Sequence, residues 1–423
     1  MYRCPRSLGG QDNLNPDVPV DLKFCMMAPL SSSVSERYLI TFNNTPRVTG
    51  WSLRSHPLRV KVAAMTDPYD LTPLSVQEGS REIRLLLLEP SEPSDPVRCI
   101  MGTCSIDSRP PRFTALSYAW GSSLDSTLIS LNEVPFAVGN NLYSFLEEMR
   151  SQRQYGMYWI DAICINQASE KEKKHQIQMM RQIYSKAVSV SIWLGRFCQP
   201  SYLSHGMKFL AQRGSSSFPK QHKAKFGTEE QAKGVVEICF MSYWRRVWII
   251  QEIMLARECT IWCGNMRTSL DSLWVLLRDV RTWYNYSQGS LLIIPRTLLE
   301  SSAAIIVFAK AEQRSSFQKA RSSEHIMGLL GLYRHQEATN ILDRVYAFFG
   351  LAHDTEGIKI DYSISPEELA LKLLIRAIIT MNPNTEIISR RRWLMDTAII
   401  LAQTLNLKWS KEEIQFAVTL MDD

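Results

Sequence analysis

One carboxylate stands where its surroundings make it costly. Asp161 interrupts the apolar run Tyr158–Ile165, while Glu252 lies in the helical pattern Trp244–Ala256. A buried carboxylate needs a partner, a set of hydrogen bonds or a pocket to line, so Asp161 reads either as a site-lining acid or as a structural one. Glu252 is either a general base or oxocarbenium-stabilising group in a cleft, or the ion-pair partner of Arg245 or Arg246. Glu172 is a third candidate catalytic carboxylate, although its place three residues after Ser169 also makes it half of a capping box. Asn166 and Gln167 hold a ligand or bond the backbone of a turn. Cys164 with His175 has the residue types of a thiol nucleophile, but a Cys inside an apolar run is expected to be inert packing. Ser117 lacks the Gly-x-Ser-x-Gly elbow of a hydrolase serine. Trp120, Trp159, Trp193 and Trp248 are expected in the core, with an adenine or nicotinamide ring suiting one at the rim. Neither close cysteine pair, Cys99/Cys104 or Cys259/Cys263, is followed by a ligand at zinc-finger distance. No metal is expected.

These side chains need elements to hold them. Tyr158–Ile165, entered by Gly156 and left through Asn166-Gln167, predicts a strand buried on both faces. Ser169 caps a helix that carries Ile177, Met180, Tyr184 and Ala187 on one stripe. Val188–Leu194 is strand-like again, and Gly195 stops it. The result is a right-handed βαβ unit. It gathers the acid, the amide pair and a helix N-terminus at the carboxyl end of its first strand, where open α/β sheets bind ligands.

Upstream, Glu82–Leu88 and Arg112–Gly121 read as strands, and Leu128–Val138 as a hairpin turning at Asn132-Glu133. Gly139-Asn140-Asn141 opens an amphipathic helix. Downstream, residues 196–227 read as an insertion around a short helix near Met207–Gln212. Thr228 and Gln231 form a capping box. Trp244–Ala256 reads as one continuous helix with Arg245, Trp248 and Glu252 on one side, and Glu258–Trp262 as a last strand closed by Gly264. From Ser269 the pattern turns helical, over Leu273–Trp283, Leu291–Ala311, His325–Tyr333 and Asp343–Leu351. A further helix starts at Ser365-Pro366. The chain divides at this level into a disordered or loosely packed segment, 1–78, with Val60–Met65 its strand candidate, an α/β domain, 79–265, and a mainly helical region, 266–423.

Composition bounds the rest. A 45% hydrophobic content with 11 Trp in 423 residues is enough for real cores. The net charge of +6 is scattered and leaves no nucleic-acid footprint. Nine cysteines without regular spacing point to reduced thiols. No secretion signal and no bilayer-length apolar run is seen. A soluble, cytoplasmic chain is expected.

Three blocks resemble the fungal heterokaryon incompatibility (HET) domain: Ala115-Leu-Ser-Tyr-Ala-Trp-Gly121; Trp159-Ile-Asp-Ala-Ile-Cys-Ile-Asn-Gln167 with Glu172, Gln176, Met180, Ile183-Tyr184 and Ala187; and Arg246-Val-Trp-Ile-Ile-Gln-Glu252. The match covers about 112–264, with a weaker echo in Ala338–Ala352 and Ile360–Ser363. Two departures stand out. Ala338-Thr-Asn-Ile-Leu-Asp343 replaces the family's Ala-Thr-Asp-Pro-Arg-Asp, and the Pro- and Trp-rich segment after Asp-Tyr-Ser is missing, so the C-terminal half is expected to be diverged or truncated.

The resemblance implies an open, mostly parallel α/β sheet flanked by helices (TIR-like or flavodoxin-like), with a helical C-terminal region. It implies an effector of nonself recognition that triggers programmed cell death, working through self-association and a protein partner. Some members of the distantly similar TIR fold hydrolyse NAD through a glutamate. On that analogy Glu172 and Glu252 are the candidate catalytic residues. Ser117, Tyr118, Trp120, Gly121, Trp159, Asp161, Asn166, Gln167, Gln176, Arg246, Trp248 and Gln251 are the candidate binding positions. No cofactor is required, and NAD is the candidate substrate. A non-enzymatic self-associating scaffold and an inactive, degenerate member are the alternatives left open.

Overall fold

The computed structural model describes residues 23–27, 37–39, 67–77, 79–107, 110–121, 125–197, 201–213, 226–286, 293–315, 325–380, 387–410 and 412–415. Val60–Met65 lies outside them. The strands are β1 (Lys23–Met27), β2 (Arg37–Leu39), β3 (Glu82–Leu88), β4 (Arg98–Ser105), β5 (Phe113–Tyr118), β6 (Ser126–Leu131), β7 (Val134–Gly139), β8 (Met157–Trp159), β9 (Ser189–Trp193), β10 (Cys259–Cys263) and β11 (Met266–Ser269). They join one sheet in the order β11-β10-β9-β5-β8-β3-β4-β1-β2, with the β6–β7 hairpin attached to β4. Its centre, β10-β9-β5-β8, is parallel, and antiparallel strands extend both sides. Helices α1 (Pro68–Leu71), α2 (Asn140–Ser151), α3 (Asp161–Cys164), α4 (Glu170–Lys186), α5 (Leu203–Arg213), α6 (Glu229–Phe240) and α7 (Trp248–Leu255) accompany the sheet. A helical region follows, beginning with Leu270–Tyr286. No described helix is long and apolar enough to cross a membrane.

The expected crossover is present as β8-α4-β9, but β5 lies between its two strands. Tyr184 of α4 meets the Trp159 ring edge-on at 5.5 Å, which seats the helix on the sheet. The hairpin turns where expected: Asn132 and Glu133 both hold positive φ, 50° and 67°, as the tight primed turns require. Thr228 and Gln231 form both bonds of the capping box.

Six expectations need correction. The strand predicted over Tyr158–Ile165 stops at Trp159 and becomes the helical turn α3. Asp161 accepts the Ala162 backbone N–H at 2.7 Å, a local bond that competes with a strand ladder. Ile160, Ile163 and Cys164 are fully buried in the turn, so apolarity alone did not demand a strand. The helix predicted over Trp244–Ala256 breaks into a 3-10 turn, Ser242–Arg245, and α7, because Arg246 is extended between them. Glu258–Trp262 is not the last strand, since β11 pairs back on β10. Leu291–Ala311 splits into Ile293–Leu299 and Ser302–Ser315, and Asp343–Leu351 is α-helical only over Asp343–Tyr346. Residues 67–72, placed in the loose segment, are tied to the α/β unit: the Tyr69 hydroxyl reaches the Ile163 carbonyl at 3.1 Å and Thr72 accepts from Arg84 at 2.7 Å.

The insertion helix α5 crosses α6 glycine against glycine. A Cβ added at Gly234 would stand 2.2 Å from the Tyr202 carbonyl oxygen, and one at Gly206 would stand 2.4 Å from the Gly234 carbonyl carbon. Backbone cannot yield as a flexible side chain does. Gly234→Ala is therefore expected to cost about 2–3 kcal/mol, read as a lower urea midpoint at unchanged slope. An unchanged midpoint would mean that the two helices do not meet there.

Candidate functional site

The carboxyl ends of the adjacent parallel strands β5 and β8 meet in one polar cluster. After β5 the chain turns through Trp120 and Gly121, whose φ of +80° suits glycine. After β8 comes Asp161, half-buried, whose second carboxylate oxygen accepts the Trp120 indole N–H at 2.9 Å. Trp120 is 42% exposed, so it roofs Asp161 at the rim of the sheet. Arg246, in the break before α7, donates to the Tyr118 carbonyl. Its charge acts on both Asp161 and Glu252.

Glu252 lies beneath, 3% exposed in the second turn of α7. Burial pushes its carboxyl up to about 7, and the Asp161 charge adds to the rise; Arg246 and a hydrogen bond from Ser117 oppose it. Ser117 also shares a 2.6 Å contact with the Tyr243 hydroxyl. With Glu252 ionised, Ser117 must donate to it, so Tyr243 donates to Ser117. Glu252 Oε2 has no hydrogen-bond partner. Asp161 is likewise raised by burial, with Arg246 and Trp120 pulling it back down. A pair of carboxylates held above their ordinary range beside one guanidinium has the make-up of acid–base machinery.

Glu172 is not in this cluster. Both its oxygens take the Arg84 guanidinium, at 2.5 and 3.1 Å, and one also accepts the Asn166 backbone N–H at 2.6 Å. Ser169 caps the Glu172 N–H, but the return half of the capping box is absent, because the Ser169 N–H goes to Asn166 instead. Asn166 accepts from the Ala168 N–H, and Gln167 donates to the Asp161 carbonyl, so the amide pair bonds turn backbone. Gln176, fully buried, donates to the Glu82 carbonyl. These residues are spent on structure.

The remaining candidates divide similarly. Trp159 and Trp193 are fully buried, and Tyr118 nearly so. Trp248 is half-buried and hydrogen-bonds Asp343. Gln251 is packed against Gly350, where a Cβ would lie 2.5 Å from its amide. Arg245 pairs with Glu337 rather than with Glu252, so Arg245, Trp248 and Glu252 do not share a working face. Cys164 is buried, its thiol pushed up to about 12 by that burial, which makes it an inert thiol.

Sequence reasoning missed Arg84 and Tyr243. Arg84 carried the same signal as Asp161, a lone charge in an apolar run, E-I-R-L-L-L-L. Tyr243 carried none, because its partner Ser117 lies 126 residues away.

Residues 113–252 match the heterokaryon incompatibility protein (HET) family. The match opens on the first residue of β5 and closes on Glu252, so the matched span covers both edges of the polar cluster. Arg84, which holds Glu172, and Asp343, which holds Trp248, lie outside the matched span. The chain is also similar to heterokaryon incompatibility protein 6, OR allele, of Neurospora crassa, at 29% identity over 70% of this chain and 51% of the relative. It thus spans about half the length of the curated relative it matches. No solved structure matches the chain significantly.

Proposed function

We propose that this chain acts in heterokaryon incompatibility as an effector whose HET domain triggers death of the fused cell, using the Asp161–Arg246–Glu252 cluster to split a nucleotide such as NAD. The carrying observation is the convergence of two raised carboxylates with one arginine at the carboxyl ends of β5 and β8. In this reading Asp161, the more exposed acid, faces the developing ribosyl cation, and Trp120 offers a ring at the rim. The balanced step is cleavage of the N-glycosidic bond by water, releasing nicotinamide, ADP-ribose and a proton.

Inducible expression in a fungal host tests the reading. Wild-type protein is expected to kill and Asp161→Asn to restore viability at equal protein level. Purified wild type is expected to release nicotinamide from NAD. Killing by the Asn variant at the wild-type rate would overturn the role of the cluster.

A second reading, a self-associating module without catalysis, is favoured by one observation: Leu371, Ile375 and Ile379, at helical spacing on Pro366–Thr380, are 44%, 52% and 68% exposed. Killing by Asp161→Asn together with assembly in sedimentation would select it. A protein partner in the incompatibility response belongs to either reading.

A further inference from the structure

Beside Gln251 of α7 lies a cleft of about 540 Å³ between α4 and residues 346–360. That volume is in the range of small-molecule sites. Lys171, Lys174, His175 and Arg181 reach it from a single face of α4, and Lys359 faces them from the opposite wall. Among the described lining residues there is no carboxylate. Asp361 touches the rim, 3.8 Å from Lys174, and the nearby Glu170 is turned to Lys173. The N-terminal end of the 17-residue α4 adds its positive dipole beside Lys171 and Lys174. The rest of the lining mixes Gln178, Gln182, Gln251 and Thr355 with an apolar wall supplied chiefly by Ile177, Phe349, Ile358 and Ile360.

Cations scattered over a solvated face neither converge on a concavity nor share it with a hydrophobic wall. The molecule as a whole carries only +6, yet this one hollow gathers four permanent cations and a histidine. We infer that the cleft binds a small molecule carrying at least two phosphates and a flat ring, of the nucleoside diphosphate class, with phosphates on the lysines and the ring against Phe349 and Ile358. Its walls come from the segment that matches the HET family and from the C-terminal region. Arg181 donates to the Gly350 carbonyl, and Gln251 lies under Gly350. A ligand there bridges the two regions at the residue next to Glu252, which makes it a regulatory site rather than the reaction site. The inference does not depend on hydrolysis at Asp161.

The test is calorimetry on the full chain with ADP, pyrophosphate and adenosine as separate probes. ADP is expected to bind more tightly than pyrophosphate, and adenosine to bind weakly. Lys174→Glu with Lys359→Glu, both at solvent-accessible positions, is expected to weaken ADP roughly tenfold or more. Raising salt to about 0.5 M should weaken it further, since these charges are screened. Asp161→Asn is expected to bind ADP as wild type does, so loss of killing and loss of binding are read separately. No ADP binding at about 1 mM, or binding indifferent to the double charge reversal, would overturn the site. Pyrophosphate binding as tightly as ADP would overturn the ring subsite and with it the nucleotide assignment.

Discussion

Arg84→Met is expected to destabilise the protein by about 3–5 kcal/mol, the usual cost of leaving one member of a buried ion pair alone. Arg84 is 1% exposed and uses its whole guanidinium: two contacts to Glu172, one to the Thr72 carbonyl and one to the Cys164 carbonyl, with its Cζ 4.8 Å from the centre of the Tyr69 ring. Methionine fills the volume but strands the Glu172 carboxylate, which keeps only the Asn166 N–H. Pairing the change with Glu172→Leu is expected to recover much of the loss, because the charge left behind disappears as well. Urea unfolding of wild type, both single variants and the double variant gives the coupling directly. A loss below about 1 kcal/mol for Arg84→Met would place the pair in water rather than in the core.

Glu252→Gln has the second large effect, and it depends on pH. Burial raises the Glu252 carboxyl from 4.5 to about 7. Between those values the folded protein holds a proton that the unfolded chain has released. Glu252 therefore contributes stability that is complete below about pH 4.5 and is lost as pH rises through about 7. A shift of this size corresponds to about 3 kcal/mol. Wild type is expected to lose that stability between pH 4.5 and 8, and Glu252→Gln, which cannot ionise, to show a flatter profile and to be the more stable protein at pH 8. In the killing assay the same variant is expected to be silent, with its circular dichroism unchanged. Parallel stability profiles for the two proteins would show that the carboxyl is not raised, and the acid–base argument for the cluster would fall with it.

The blocks Ala338–Ala352 and Ile360–Ser363, a weak echo in the sequence, meet in space. The Tyr346 hydroxyl bonds the Asp361 backbone at both its N–H and its carbonyl, and the Tyr362 hydroxyl reaches Asp343 at 2.7 Å. Trp248 of the segment that matches the HET family joins the same node through Asp343. Asp343 is the acid that remains after the departures around Asn340, and its contacts explain why that position stays useful: it holds α7, and with it Glu252, against the C-terminal region.

Much of the scaffold was legible from local chemistry. The Asn132-Glu133 turn, the Thr228–Gln231 cap and the strands over Glu82–Leu88 and Val188–Leu194 each depend on residues within a few positions of one another. Neighbours in sequence are neighbours in space at that range. The length of β8 and the break at Arg246 were not legible, since an apolar run has the same composition whether it is strand or buried turn.

From the sequence alone followed the α/β architecture, the resemblance to the HET family and the list of candidate carboxylates. Only the tertiary structure decided which of those charges belong together. Glu172 found Arg84, 88 residues earlier on β3, and became structural; Glu252 met Asp161 and Arg246 and kept an unpartnered oxygen. The reason is that a desolvated carboxylate takes its partner from whichever element the sheet order places beside it, and sheet order is set by long-range pairing that no local pattern encodes.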